Sequence, residues 1–401
     1  MNKKRYAVIG GGINGLAVAR QLLLDFPEAA VTVFEKEASV AGHQSSHNSG
    51  VVHAGLYYEP GGLKARLCRR GLELVRNYCR DNEIPYDECG KVVVALHEEE
   101  LPRLETIYKK SLANGVPGVR LIGPEELREI EPNCIGLRAL HSPETAIVSY
   151  GQVAVRIAAE IEGRGGRICL NAPVGRLLEK NGEVEVELAD GQVFDGVFDQ
   201  AIACAGLQSD RLAERSGDHA TPRIVPFFGQ YYVIDEAFKS HVKGLIYPVP
   251  DPRFPFLGVH FTKRIDGQMT IGPNAFISFG RENYDGRSIN LSDVLNFVGY
   301  PGFWKFAARN LPATMRELKT VVSESSFVRE AARYVPSLAD VGVVPAVRGI
   351  RAQAMESNGA LVDDFVIRQR GNITHIRNAP SPGATSSLAI AEYIVREVMR
   401  H

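Results

Sequence analysis

Three glycines at a fixed spacing, Gly10, Gly12 and Gly15, stand where the apolar run Tyr6-Ala7-Val8-Ile9 passes into a helical pattern opening near Ile13. In a dinucleotide-binding turn each has its own task. Gly10 permits the tight turn, Gly12 lets backbone approach a pyrophosphate, and Gly15 lets the helix pack close on the strand. The N–H groups around Ile13 and Asn14, with the positive end of the helix dipole, then point at phosphate. About twenty residues past Gly15, the run Ala30-Val31-Thr32-Val33-Phe34 reads as a second strand and ends on Glu35 and Lys36. A carboxylate there accepts hydrogen bonds from adenosine ribose hydroxyls and repels a 2′-phosphate. The fingerprint alone does not choose between FAD and NAD. A second segment, Gly42 to Gly55, is dense in small and hydroxyl residues, among them Ser45, Ser46, Asn48 and Ser49. Such a segment can run along a cofactor with its backbone close to the ring system. Its apolar Val51-Val52 argues against a fully solvated loop.

These residues need elements to position them. The first 40 residues read strand–helix–strand. Periodicity predicts helices over 62–82, 98–114, 124–130 and 150–164, an aromatic-rich helical region over 292–318, and a last helix over 386–399. Strands are predicted near 92–96, 167–170, 184–188, 192–194, 200–205, 229–234, 257–261, 269–271 and 373–376, and Pro380-Ser381-Pro382-Gly383-Ala384 is a turn. Dinucleotide-type elements thus occur at the start, middle and end of the chain. The predicted class is mixed α/β. A Rossmann-like domain of 1–82, 150–210 and 346–401 is interrupted by a second domain, 83–149 and 211–345, with a mixed, mainly antiparallel sheet.

Composition removes other classes. The chain has 401 residues, 45% hydrophobic and 23% charged, ordinary for a soluble globular protein of two domains. A net charge of −1 gives no electrostatic case for nucleic acid. The six cysteines, Cys68, Cys79, Cys89, Cys134, Cys169 and Cys204, contain no C-x-x-C pair. They read as free thiols of a reducing compartment, with no zinc site and no other metal site. The first strand starts too early for a signal peptide, and no apolar run is long enough to span a bilayer. The expected location is the cytoplasm, with peripheral contact on the inner face of the cell membrane left open.

At the level of whole motifs the sequence resembles a known group. The fingerprint, the Ser46–Gly55 loop and Cys204-Ala205-Gly206 resemble the D-amino-acid oxidase and glycerol-3-phosphate dehydrogenase superfamily of flavoproteins. Within it, Asn48 to Tyr58, Lys64 to Cys68, Ile246 to Pro250, Leu257 to Thr262, Gly272 to Ala275, Arg351-Ala352-Gln353 and Asn378 to Ser387 are similar to the L-2-hydroxyglutarate dehydrogenase (oxidase) family. The matches fall in order over nearly the whole chain. One departure is His47, where that family's pattern has Arg.

The resemblance implies FAD, and noncovalent binding is expected. It places Gly10, Gly12, Ile13, Asn14, Gly15, Glu35 and Lys36 at the ADP half, with Val174 against adenine through its backbone. Ser45, Ser46, Asn48, Ser49, Ala205 and Gly206 would follow the cofactor. Pro382, Gly383, Ala384, Thr385 and Ser386 would lie at the flavin N1 side, where a helix N-terminus stabilises negative charge. It also implies a substrate that is a 2-hydroxy dicarboxylic acid, L-2-hydroxyglutarate oxidised to 2-oxoglutarate, with electrons passed to quinone or oxygen.

Removing a hydride from a 2-hydroxy acid requires a base for the hydroxyl proton and a clamp for the carboxylate. Of the ten histidines, His53 and His260 fall in the matched motifs. An imidazole near pKa 6.5 suits the base, and the sequence does not rank the two. Arg351 is the expected carboxylate clamp, because a guanidinium presents a planar fork. For the far carboxylate Lys64, Tyr247, Arg253 and Lys263 are candidates. An amine oxidase of the same fold and a flavin-binding redox sensor without turnover are the competing readings. The 292–318 segment, holding the only Trp with Lys305 and Arg309, reads either as a packed helix or as a membrane-interface element.

Overall fold

A computed structural model describes residues 3–252, 258–286, 288–310, 324–346 and 348–399. The first strand, Arg5–Ile9, is buried on both faces, as a central strand of a parallel sheet must be. It pairs in parallel with Ala30–Phe34 on one side and Gln200–Ala203 on the other. Six strands form this sheet, in the order Val366–Arg370, Ile373–Asn378, Gln200–Ala203, Arg5–Ile9, Ala30–Phe34, Arg167–Cys169. Only Val366–Arg370 runs antiparallel to its neighbour.

Strand alternation sorts the side chains into two layers. Tyr6, Val8, Val31, Val33 and Ile202 face the helices Ile13–Asp25, Tyr150–Gly163 and Ser387–Tyr393. Ala7, Ile9, Phe34, Ala201 and Ala203 face the hairpin Val174–Lys180/Glu183–Leu188 and the helix Ser209–Arg215, through Leu177, Val184, Val186 and Leu212. Full burial of each large apolar side chain contributes about 1.5–3 kcal/mol, so both layers hold the glycine turn in place.

The second large sheet has eight strands, ordered Val343–Pro345, Tyr232–Ile234, Met269–Gly272, His260–Lys263, Leu245–Pro248, Lys91–Ala95, Arg138–Ser142, Arg120–Ile122. All neighbours are antiparallel except Leu245–Pro248 with Lys91–Ala95. The same alternation divides it. Val92, Val94, Ile246 and Phe261 pack under the helix Glu324–Ala332, while Val93, Ala95, Leu245 and Tyr247 face the nucleotide half. Lys91 and His260 share that second face by their position in the alternation.

A three-stranded sheet, Phe276–Ile277, Arg223–Gly229 and Gly349–Met355, carries Arg351. Its last strand follows residue 346 yet pairs with Arg223–Gly229, so the chain crosses back toward the first sheet only after Met355.

Several predicted elements shift. Residues 192–194 form no strand; Val193 makes an isolated bridge to Glu187. The aromatic region is two helices, Leu291–Val298 and Pro301–Arg309, broken where Pro301 starts the second; the rest of the 292–318 prediction lies outside the described residues. The predicted 229–234 strand is the end of Arg223–Gly229 and the separate Tyr232–Ile234. The last helix starts at Ser387 and widens into a π-type turn over Ile394–Val398.

Candidate active site

The glycine turn is close-packed where packing demands it. Gly10 has φ +109°, and a Cβ on it would strike the Cys204 carbonyl. A Cβ on Gly15 would strike the Gly10 carbonyl. Around Gly12, by contrast, only the Ser45 hydroxyl comes near, at 3.2 Å from such a Cβ. The turn is therefore closed toward the sheet and open at the position where a pyrophosphate would lie. Ser45 Oγ accepts the Ile13 N–H at 2.8 Å and so caps the helix that Gly12, having no side chain, leaves uncapped. The Asn14 side-chain oxygen is buried without a partner. The Glu35 carboxylate accepts the Gly11 N–H at 2.7 Å and the Glu37 N–H at 2.9 Å, which fixes it beside the turn. Lys36 turns its ammonium to Glu37 and to Glu282, 2.9 Å away, so only its backbone remains available to a nucleotide. The Ala172 N–H bonds the Glu35 carbonyl, which brings Val174 alongside. Ala205 and Gly206 follow Cys204 directly under the turn.

The hydroxyl-rich loop is held by its own side chains. Asn48 donates to the Gln44 and Ser45 carbonyls at 2.9 and 2.8 Å and accepts the Gly50 N–H at 2.8 Å. Ser46 abuts Gly151, and Ser49 bonds the Tyr231 hydroxyl. The loop leads into Val51–Val52 and His53, whose N–H donates to Thr385 Oγ1 at 3.2 Å. Thr385 Oγ1 also lies 2.8 Å from the Tyr150 hydroxyl. This joins the loop to the turn 381–386. There the Ala384 and Thr385 amides make no hydrogen bond to backbone among the described residues, and the Ser386 and Ser387 hydroxyls are buried without a partner. Gly71 lets the helix Leu63–Asp81 touch this turn, since a Cβ there would meet the Thr385 carbonyl. An open glycine turn, a Glu at strand end and unpartnered donors at the far end fit a long dinucleotide such as FAD.

Above the loop stands a cationic floor. His260 is 6% exposed, and its Nδ1 lies 2.9 Å from the Gly258 carbonyl. A carbonyl only accepts, so Nδ1 carries the proton and Nε2 the lone pair. The His260 and Tyr247 rings lie 3.9 Å apart, 32° from parallel. Lys91, 2% exposed, holds Nζ 3.9 Å from the Tyr247 ring centre and 5.6 Å from that of Tyr57. Burial pushes Lys91 down to about 7. Burial likewise pushes His260 to about 3, with the Lys91 and Arg351 charges adding to it. His53, its Nδ1 buried without a partner, falls well below its usual value through burial and then through Lys91, His260 and Lys64. Both imidazoles are thus neutral at pH 7, each with one ring nitrogen carrying a lone pair.

The expected site residues meet unevenly. His53, His260 and Tyr247 lie together, with Arg351 within electrostatic reach of His260. Lys64 does not offer a free ammonium: its Nζ donates to the Asp363 carbonyl and carboxylate, each at 2.8 Å. Lys263 is likewise paired with Asp87 at 2.8 Å. Arg253 lies outside the described residues. Arg348 donates to Gln230 at 2.6 Å. Lys91 was not legible as a site residue, because a lysine heading an apolar strand reads as a solvated strand end. Cys68 donates to the His53 carbonyl at 3.2 Å, and burial pushes its thiol up to about 12, making it a packing group.

A parallel sheet with a glycine turn, set against an antiparallel sheet presenting neutral imidazoles among cations, defines a dinucleotide-dependent oxidoreductase. The profile of the FAD dependent oxidoreductase (DAO) family matches residues 5–397, and the chain belongs to that family. Its relatives include the mitochondrial L-2-hydroxyglutarate dehydrogenases of Caenorhabditis elegans (43% identical; 98% of this chain, 92% of that protein) and Homo sapiens (42%; 98% and 88%). The L-2-hydroxyglutarate dehydrogenase of Escherichia coli is 40% identical over 98% of this chain and 92% of its own. Among solved structures, FAD-bound L-alpha-glycerophosphate oxidase from Mycoplasma pneumoniae superposes with TM-score 0.78 at 22% identity, covering 99% of this chain and 94% of that one. Glycine oxidase from Geobacillus kaustophilus superposes at 0.72 with 17% identity, covering 98% and 94%, a likeness of fold.

Proposed function

We propose that this protein oxidises L-2-hydroxyglutarate to 2-oxoglutarate with FAD. Identity of 40–43% to L-2-hydroxyglutarate dehydrogenases along nearly the whole chain is the observation that carries this reading. Bound FAD supplies the acceptor for the hydride leaving the α-carbon. The protein's own part is positional and electrostatic. Arg351 holds the α-carboxylate in a two-pronged contact. His260 Nε2, its tautomer set by Gly258, takes the hydroxyl proton. Before substrate binds, burial makes it a weak base, with the Lys91 and Arg351 charges adding to the effect; substrate carboxylates neutralise those charges and raise its affinity for that proton. His53 closes the other side, anchored through Thr385 to the turn at 381–386.

The division into a nucleotide domain and a substrate domain is part of this proposal. So are quinone or oxygen as acceptor and peripheral contact with a membrane. Among the described residues no helix is long and apolar enough to cross a bilayer. Phe297, Phe303 and Phe306 are buried, whereas Leu291, Leu295 and Trp304 are exposed near Lys305 and Arg309, which supports contact with a lipid surface. The test is product analysis: 2-oxoglutarate should accumulate from the L-diacid with a quinone analogue or oxygen. Turnover of an amino acid instead would replace this reading with the amine oxidase.

A further inference from the structure

A substrate with two carboxylates needs two receptors, and Arg351 accounts for one. The other basic side chains near the floor are committed. Lys64 is neutralised by Asp363 and Lys263 by Asp87. Lys91 differs. Among the described residues its ammonium has no hydrogen bond and no carboxylate partner, only the faces of Tyr247 and Tyr57. Aromatic faces hold a cation in place without cancelling its charge. A buried, unpaired cation is costly, and it favours an anion arriving from outside.

Its place in the sheet is also right. Lys91 heads the strand that pairs with Leu245–Pro248, and alternation puts it on the same face as Tyr247 and His260. The Tyr247 ring touches both the Lys91 ammonium and the His260 imidazole. His260 in turn lies within electrostatic reach of Lys91 and of Arg351. The proton acceptor is thus flanked by two cations carried on different sheets. That is the layout a hydroxy diacid requires, with its hydroxyl carbon next to one carboxylate and remote from the other.

We propose that the Lys91 ammonium is the receptor for the distal carboxylate of the substrate and so selects dicarboxylic over monocarboxylic 2-hydroxy acids. The proposal rests on the reading of this protein as a 2-hydroxy dicarboxylate dehydrogenase. A monoacid's apolar end would leave this buried cation unpaired, whereas a second carboxylate neutralises it.

The test uses FAD-loaded wild type, Lys91→Met and Lys91→Arg, each checked for flavin content by absorbance. One readout is kcat/KM for L-2-hydroxyglutarate relative to L-2-hydroxypentanoate, the same carbon chain without the distal carboxylate. The other is binding of glutarate relative to pentanoate, followed through the flavin spectrum. Lys91→Met should lower both ratios by roughly 30-fold or more, and Lys91→Arg should restore most of the difference. Ratios unchanged from wild type, with both acids weakened alike, would overturn the proposal. If Lys91→Met fails to retain FAD, Lys91→Gln carries the same comparison. Wild type that ignores L-2-hydroxyglutarate would sink the parent reading alone, and the glutarate ratio would still decide the role of Lys91.

Discussion

His260 Nδ1 lies 2.9 Å from the carbonyl oxygen of Gly258, two residues earlier in the chain. This contact decides which ring nitrogen is basic, and it gives the two histidines different duties. His260→Asn should lower kcat/KM by roughly 10²–10⁴ while FAD stays bound, the usual range for a lost general base. His53→Asn should retain more activity, since His53 is held by its backbone N–H to Thr385. Stopped-flow flavin reduction by L-2-hydroxyglutarate measures both; equal losses would remove the distinction.

Arg351→Met should weaken every 2-hydroxy acid, with or without a second carboxylate. A charge-assisted pair is worth about 1.5–3 kcal/mol, so KM should rise roughly 10- to 150-fold. Arg351→Lys should recover only part, because a point charge does not reproduce the fork. Steady-state kinetics on paired mono- and diacids separates this uniform effect from the selective one assigned to Lys91.

A pH profile follows from the floor. The groups facing Lys91 are His53, His260, Tyr57, Tyr247, Cys68 and Cys89. Burial pushes Cys68 and Cys89 up to about 12 and Tyr57 higher still, and it pushes His260 down to about 3. Lys91, at about 7, is left to titrate near neutrality. Its folded-state pKa is depressed, so its charge is present below pH 7 and fades above. In the free enzyme kcat/KM for the diacid should therefore fall as pH rises through about 7, while kcat holds to higher pH because bound carboxylate stabilises the ammonium. A kcat/KM flat from pH 6 to 9 would contradict this.

Gly71→Ala should loosen FAD without unfolding the sheet. The new methyl would press on the Thr385 carbonyl, and overpacking of this kind costs about 1–3 kcal/mol. Fluorescence titration of the apoprotein with FAD should show affinity reduced roughly 5- to 150-fold.

Arg281, 1% exposed, donates to Asp210 at 2.9 Å and to the Ile224 carbonyl at 3.3 Å, joining the helix Ser209–Arg215 to the strand Arg223–Gly229. Arg281→Leu would leave the buried Asp210 without its opposing charge, holding only the Arg211 and Ile224 N–H groups, a loss of about 3–5 kcal/mol. Denaturant unfolding should report it as a lower midpoint at unchanged slope.

What the sequence disclosed, it disclosed through local spacing. Gly10, Gly12, Gly15 and Glu35 belong to one strand–helix–strand unit, so their geometry is set by neighbours in the chain. The β-branched run Val92-Val93-Val94 likewise marks a strand. What stayed hidden depends on long-range pairing. Arg351 sits in a strand whose partner, Arg223–Gly229, is remote in sequence. Lys64 appears free until Asp363 folds against it. Lys91 becomes a buried cation only when Tyr57 and Tyr247 close over it. Gly71 looks like a weak point inside a helix until Thr385 is seen against it.

The most direct test of the proposed activity is anaerobic mixing of the FAD-loaded protein with single substrates while flavin absorbance is followed. L-2-hydroxyglutarate should bleach the flavin within a catalytic turnover, and its D-enantiomer, L-lactate, glycerol-3-phosphate and glycine should not. Bleaching by glycine, or by none of these, would contradict the account.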